Sequence, residues 1–230
     1  MMKEIKEEIN GHVLYLGDSY EIIPHLEKVS SCVVDPPYEF DSQGGGLFRR
    51  DRDCMDRIQE AGIDKGFDHT ILSSRVADSV VCFCHNDQLF KLIPWFAGQF
   101  ERYALCAWHK SNPMPVANKH YKPDTEFYIH AWNKEGHPVG ELHQKSRYVI
   151  APVGKSEFDH PTVKPDTVMD KIISNVNGDV ILDCFMGTGS TGIACAKAGK
   201  KFIGIERDPK FFDIALKRIN LFYKQGNLFM

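Results

Sequence analysis

Val180-Ile181-Leu182-Asp183-Cys184-Phe185-Met186-Gly187-Thr188-Gly189-Ser190 decides how this chain folds. Val180 to Asp183 is a short apolar run closed by an acid, the pattern of a strand buried on both faces. Gly187 and Gly189 let the backbone turn tightly and come close to a ligand. The helix expected over 191–198 then offers its free N–H groups to an electronegative partner. Residues 201–206 form the next strand, and Glu206 ends it 19 residues after Gly187. An acid at that point can accept hydrogen bonds from ribose hydroxyls. Strand, glycine turn, helix, strand and acid together predict a nucleoside-cofactor site built from Asp183, Phe185, Gly187, Thr188, Gly189, Ser190 and Glu206. Gly192 lies near the third glycine of a dinucleotide fingerprint, so this stretch alone also admits NAD.

Outward from this stretch, the pattern repeats. Apolar runs at 13–16, 31–34, 79–84, 103–108 and 127–132 read as further strands, which makes seven with 180–183 and 201–206. Residues 20–26, 88–100 (interrupted by Pro94), 166–176 and 210–222 read as helices, the last opened by Asp208 and Pro209. Alternating strands and helices predict an α/β domain over 1–230, with a mostly parallel sheet covered by helices on both faces. Two stretches stand outside the pattern. Residues 39–69 contain Gly44-Gly45-Gly46 and Arg49, Arg50 and Arg52, and read as a mobile loop. Residues 133–159 are polar, with little periodicity, and read as a small insertion.

Asp35-Pro36-Pro37-Tyr38 follows the apolar run at 31–34 directly. Two prolines stiffen the loop and remove two N–H donors. What remains is a pair of acceptors, the Asp35 carboxylate and the Pro36 carbonyl, beside the flat ring of Tyr38. Such a loop suits an amino group on a base, which offers two N–H groups and a face to stack. In isolation the same four residues would be an ordinary turn.

Composition bounds the remaining choices. The chain has 230 residues, 43% hydrophobic and 26% charged, enough apolar residues for a full core. No run approaches the ~18 apolar residues of a membrane span, and the charged start lacks the apolar core of a signal peptide. The seven cysteines are scattered and mostly sit in apolar runs, which fits reduced thiols in an intracellular protein. Cys82-Phe83-Cys84-His85 has no second ligand pair at zinc spacing, and no metal site is expected. The net charge of -3 means that any nucleic-acid surface must be local.

Taken together, the residues resemble the amino-methyltransferases of DNA, in the circularly permuted order called the beta group. Asp35-Pro36-Pro37-Tyr38 matches the family's catalytic motif, Phe185-Met186-Gly187-Thr188-Gly189 its cofactor motif, and Glu206 its acid after the following strand. Gly17-Asp18 matches the pair whose aspartate contacts the cofactor adenine. Thr162-Val163-Lys164-Pro165 matches an element whose hydroxyl and amine serve the methionine end of the cofactor. Trp108-His109-Lys110-Ser111-Asn112-Pro113 is similar to the family's strand-end segment near the target base. The catalytic motif precedes the cofactor glycines, as it does in the beta group.

The resemblance implies a Rossmann-like class I methyltransferase fold, circularly permuted, with a seven-stranded sheet. It implies S-adenosylmethionine in place of NAD. The catalytic residues would be Asp35, Pro36, Pro37 and Tyr38. The cofactor residues would be Asp18, Thr162, Lys164, Asp183, Phe185, Gly187, Thr188, Gly189, Ser190 and Glu206. The substrate would be double-stranded DNA with the target base flipped out, and the reaction a direct methyl transfer of the kind used in restriction-modification. Family members with aspartate before Pro-Pro-Tyr are mostly adenine enzymes, so adenine N6 is the expected target. Cytosine N4 is the alternative, and a non-catalytic cofactor-binding subunit that helps a partner bind DNA is another. Many beta-group enzymes are homodimers, and the expected location is the cytoplasm of a bacterial or phage-infected cell.

In this family the target site is read by an insertion before the Thr-x-Lys-Pro element, and only 133–159 is available here. Residues 108–160 carry seven Lys or Arg against six Asp or Glu, so this lobe would read a short site. The arginines of 39–69 would add phosphate contacts.

Overall fold

The computed structural model describes residues 5–39, 66–113, 115, 121–154 and 163–226. Among the described residues the strands are β1 (Ile5–Ile9), β2 (His12–Leu16), β3 (Val29–Val34), β4 (Ala77–Cys84), β5 (Arg102–Lys110), β6 (Thr125–Trp132), β7 (Tyr148–Ala151), β8 (Val180–Asp183) and β9 (Lys201–Glu206). The helices are α1 (Ser19–Ile22), α2 (Leu89–Gln99), α3 (Asp166–Asn175), α4 (Ser190–Lys197) and α5 (Pro209–Gly226).

All the strands join one sheet in the order β1-β2-β9-β8-β3-β4-β6-β5-β7. From β2 to β4 it is parallel, β6 runs against its neighbours β4 and β5, and β7 lies parallel to β5. Val33, Val81, Phe83 and Phe202 lie in one core cluster with residues of α3, α4 and α5, among them Met169, Ile173, Ala194 and Ile219. Cys32, Val34, Val80, Cys82 and Leu182 form the other cluster with Ile22 of α1 and with Leu92 and Phe96 of α2. Burial on both faces is why the central strands read as near-continuous apolar runs.

The sheet has nine strands among the described residues, not the seven expected. The first addition, β1, is a charged edge strand with nearly every residue exposed, so it carries no apolar run. Asn10 and Gly11, at φ 48° and 84°, make the two-residue turn that folds it onto β2, with Ile9 opposite His12. The second addition, β7, lies inside 133–159 and pairs with the last four residues of β5. Part of that stretch is therefore sheet, with Ala151 buried at the strand end. Pro94 does not interrupt α2: it faces solvent, where water can take the carbonyl it leaves unpaired.

The strand order reverses between β8 and β3. From β8 the chain passes through α4 to β9 on one side, and from β3 it goes to β4 on the other. Ser31 and Cys32 pair with Ile181 and Leu182, so the carboxyl ends of β3 and β8 stand side by side. In open α/β sheets that crevice is where ligands bind.

Candidate active site

The β8 end of the crevice is rigidly held. The Asp183 carboxylate is buried, accepting from the Phe185 N–H at 3.0 Å and the Thr191 hydroxyl at 2.6 Å. Burial raises its pKa to about 7 in spite of these bonds. Gly189 caps α4 at φ 82°, and a Cβ there would stand 2.9 Å from the Ala215 Cβ of α5. The position thus excludes other residues twice, by backbone strain and by close approach of the helix. Glu206, at the end of β9, accepts the Gly187 N–H at 2.7 Å and the Asp208 N–H at 2.8 Å. The glycine turn is thereby fastened to the acid expected beside it.

Asp18 joins the same place from β2. Leu16 pairs with Glu206, and the Gly17 N–H donates to the Glu206 carbonyl at 2.9 Å. The exposed Asp18 carboxylate caps α1 by accepting the Tyr20 N–H at 2.8 Å. The Ser19 hydroxyl donates to the Cys184 carbonyl, tying α1 to the end of β8. Phe185 is half-buried, its ring edge-to-face with Phe67 at 5.4 Å. Thr188 and Ser190 face the other way: the Arg218 guanidinium donates to the Thr188 carbonyl at 2.6 Å and hydroxyl at 3.1 Å, and lies 3.4 Å from the Ser190 hydroxyl. Asp18, Gly187 and Glu206 thus converge, while Thr188 and Ser190 secure the turn to α5.

Across the crevice, Asp35 follows β3 with its side chain 26% exposed. Its two oxygens have separate partners: the Tyr38 hydroxyl donates to one at 3.0 Å, and the Lys164 ammonium to the other at 2.6 Å. Lys164 is almost fully buried. It also lies 3.3 Å from Glu126, and it sits over the rings of Phe83 at 4.9 Å and Tyr38 at 5.3 Å. Glu126 in turn pairs with Lys110 at 2.7 Å and lies 3.3 Å from the Tyr38 hydroxyl. Two acids and two bases therefore form one cluster without net charge.

Desolvation and charge compete at each member. Burial raises the Asp35 carboxyl and Lys164 opposes it, with the carboxyl left above its ordinary value. Burial would also raise Glu126, but Lys164 and Lys110 outweigh it and hold the acid lowered. Lys164 loses hydration, yet Asp35 and Glu126 keep its ammonium raised. Burial, then Asp35 and Glu126, push the Tyr38 hydroxyl well above its ordinary value.

Lys164, expected at the methionine end of the cofactor, donates its ammonium to Asp35 and lies beside Glu126. The reason is burial: an ammonium out of water must have carboxylate partners. Thr162 of the same element lies outside the described residues, as do Arg49, Arg50 and Arg52. Sequence reasoning missed Glu126 and gave Lys110 no role of its own. The pairing of Trp108 with Glu126 across β5 and β6 brings them together, and no local motif announces it.

A Rossmann-like sheet with a glycine turn facing an acid-and-proline loop across its switch point is the frame of a class I methyltransferase. Residues 29–217 match the family model described as DNA methylase. The chain belongs to this DNA methylase family, as an S-adenosylmethionine-dependent DNA methyltransferase acting on exocyclic amino groups, in circularly permuted order. It is 32% identical to the type II methyltransferase M2.DpnII of Streptococcus pneumoniae, over 91% of this chain and 90% of that one. It is 26% identical to M2.LlaDCHI of Lactococcus lactis subsp. cremoris, over 96% and 93%. Among solved structures it is similar to the M1.HpyAVI–SAM complex, with a TM-score of 0.67, 26% identity and coverage of 90% and 98%. The PvuII cytosine-N4-specific DNA methyltransferase shares the fold, with a TM-score of 0.64 at 14% identity and coverage of 94% and 92%.

The site fits its cofactor. The Gly187 turn offers backbone to a ligand without a side chain in the way, and the Glu206 carboxylate keeps accepting capacity beyond its backbone bonds.

Proposed function

We propose that this enzyme methylates adenine N6 in double-stranded DNA, with the base turned out of the helix and stacked on Tyr38. What carries the reading is the aspartate of the Pro-Pro-Tyr loop, held at the carboxyl end of β3 by Tyr38 and Lys164. A carboxylate has about four lone-pair sites. After those two bonds, Asp35 can still accept one amino N–H while the Pro36 carbonyl accepts the other. Both bonds favour a pyramidal nitrogen with its lone pair free of the ring, and both stabilise the positive charge that grows on it. Holding the nitrogen about 3 Å from the methyl carbon supplies much of the acceleration. S-adenosylmethionine supplies the activated methyl group. Asp35, with its raised pKa, is suited to take the proton that the methylated nitrogen sheds. No covalent enzyme intermediate is needed.

In the same reading Glu206 takes the cofactor's ribose hydroxyls and Asp18 its adenine. Phe185, Gly187 and Gly189 line its path, and Asp183, Thr188 and Ser190 hold the turn. Pro37 stiffens the catalytic loop, and Thr162 meets the methionine end. The part of 133–159 outside β7 reads the target sequence, and the arginines of 39–69 add phosphate contacts. As an enzyme of DNA it would act inside the cell.

Asp35→Ala should abolish methylation while leaving cofactor binding intact by calorimetric titration. Equal loss of both would refute this division of labour. DNA from cells expressing the protein should contain N6-methyladenine at one short sequence. N4-methylcytosine in its place would move the target to cytosine, whose amino group offers the same two N–H bonds.

A further inference from the structure

Helices α3, α4 and α5 cover one face of the sheet. Beyond α3, over β6 and β5, the cover is the segment before β7, and a cavity of about 300 Å³ remains beneath it. Hydrogen bonds to α3 fix this roof at both ends. Asn175 donates through its side chain to the Val139 carbonyl at 3.1 Å and accepts the Val139 N–H at 3.0 Å; the Lys171 ammonium donates to the Ser146 carbonyl at 2.6 Å.

Three observations say what would fill the space. The walls are mostly apolar, formed by Val81, Ala104, Cys106, Ile172 and the rings of Tyr128 and Trp132. The floor holds His130, only 7% exposed, whose Nε2 has no hydrogen-bond partner among the described residues. An unpaired buried nitrogen is unfavourable, and a ligand's polar atom would relieve it. Among the described residues the remaining lining includes three cations, Lys145, Arg147 and Lys171, and no carboxylate. None of these residues belongs to the Asp35 cluster or to the turn between Gly187 and Glu206.

We propose that this cavity binds a small planar aromatic anion. Its apolar walls take the ring system, the Nε2 of His130 meets a polar atom of it, and the lysine–arginine rim holds the acid. In size the space is about twice the 150 Å³ or so that encloses a single benzene ring, so a bicyclic aromatic carboxylate fits. Burial lowers the His130 pKa to about 4, so the imidazole meets the ligand neutral and the rim supplies the charge recognition.

The test is calorimetric titration of the full chain with 6-hydroxynaphthalene-2-carboxylate, whose hydroxyl can meet His130 while the rim holds the acid, with 6-hydroxynaphthalene-2-carboxamide as the uncharged control. One site per chain is expected, and the carboxamide should bind about tenfold more weakly, the scale of one lost charge-assisted hydrogen bond. Lys171→Met and His130→Phe should each weaken the carboxylate by a similar factor of about ten. Ala104→Phe should fill the cavity and remove binding. In every variant the melting shift caused by S-adenosylmethionine should persist, which shows that the fold is intact. Absence of binding to the wild-type chain would overturn the proposal. So would equal affinity for acid and amide, or undiminished binding by Ala104→Phe.

Discussion

At the scale of single residues, the site is governed by charges that balance one another. Lys164 is buried beside two carboxylates, so removing either leaves an ammonium with half its compensation. We expect Glu126→Ala to cost about 1–3 kcal/mol in unfolding free energy, more than an exposed pair would, because breaking a partly buried network strands its partner. Urea titration measures this, and a cost no larger than that of Lys6→Ala, which opens the exposed pair with Glu8, would show that the cluster is only a surface contact. Asp183 permits a second prediction with a definite sign. Its folded pKa, about 7, lies above its ordinary 3.8, so between these values the folded state binds more protons than the unfolded one. Stability contributed here is present at low pH and lost as pH rises towards 7. Asp183→Asn should therefore gain on the wild type by about 1–3 kcal/mol between pH 5 and pH 8. The difference must be read against the wild type, since His130, lowered to about 4, acts in the opposite sense over part of that range. Asp35 and Asp183 were both legible as acids closing apolar runs. Glu126 was not, because its meaning comes from a strand pairing that no nearby residue encodes.

At the scale of elements, legibility followed locality. The five parallel strands β2, β9, β8, β3 and β4 announce themselves as apolar runs ending in turn residues, since both of their faces are covered. Edge strands lack that signature. Tyr148 to Ala151 is a short apolar run that a polar neighbourhood masks, and β1 is charged throughout its middle. The signal for β1 was nonetheless present: Asn10-Gly11 is the dipeptide that a two-residue hairpin prefers, and only its charged flank hid it. The glycine turn before α4 yields the prediction that belongs here. Gly189→Ala meets both a left-handed backbone and the Ala215 Cβ, and should cost about 1–3 kcal/mol. Adding Ala215→Gly should return the steric share and leave the backbone share. Denaturation of the single and double variants separates them, and full recovery in the double variant would mean that the backbone term is absent.

For the whole molecule, the order of motifs mattered more than any motif. Asp-Pro-Pro-Tyr and Gly-Thr-Gly are each ordinary, but the first ahead of the second in a strand–helix alternation fixed fold, cofactor and reaction together. Target recognition stayed obscure because it depends on side chains along a groove, not on a backbone signature. A bound cofactor should stabilise the entire domain by mass action. At a hundredfold excess over its dissociation constant, S-adenosylmethionine should add about 2.7 kcal/mol, a rise in melting temperature of roughly 5–10 °C for a chain of this size. NAD should give none, and a shift with NAD alone would contradict the assignment. The sheet order has one further consequence. The single parallel neighbour of β2 is β9, the last strand of the sheet in chain order. During synthesis on the ribosome, β2 and Asp18 must wait for Glu206 to emerge, while β3 and β4 can already associate. The cofactor end is thus the late-maturing end, and a nascent chain would complete its Asp35 loop before it could hold a methyl donor.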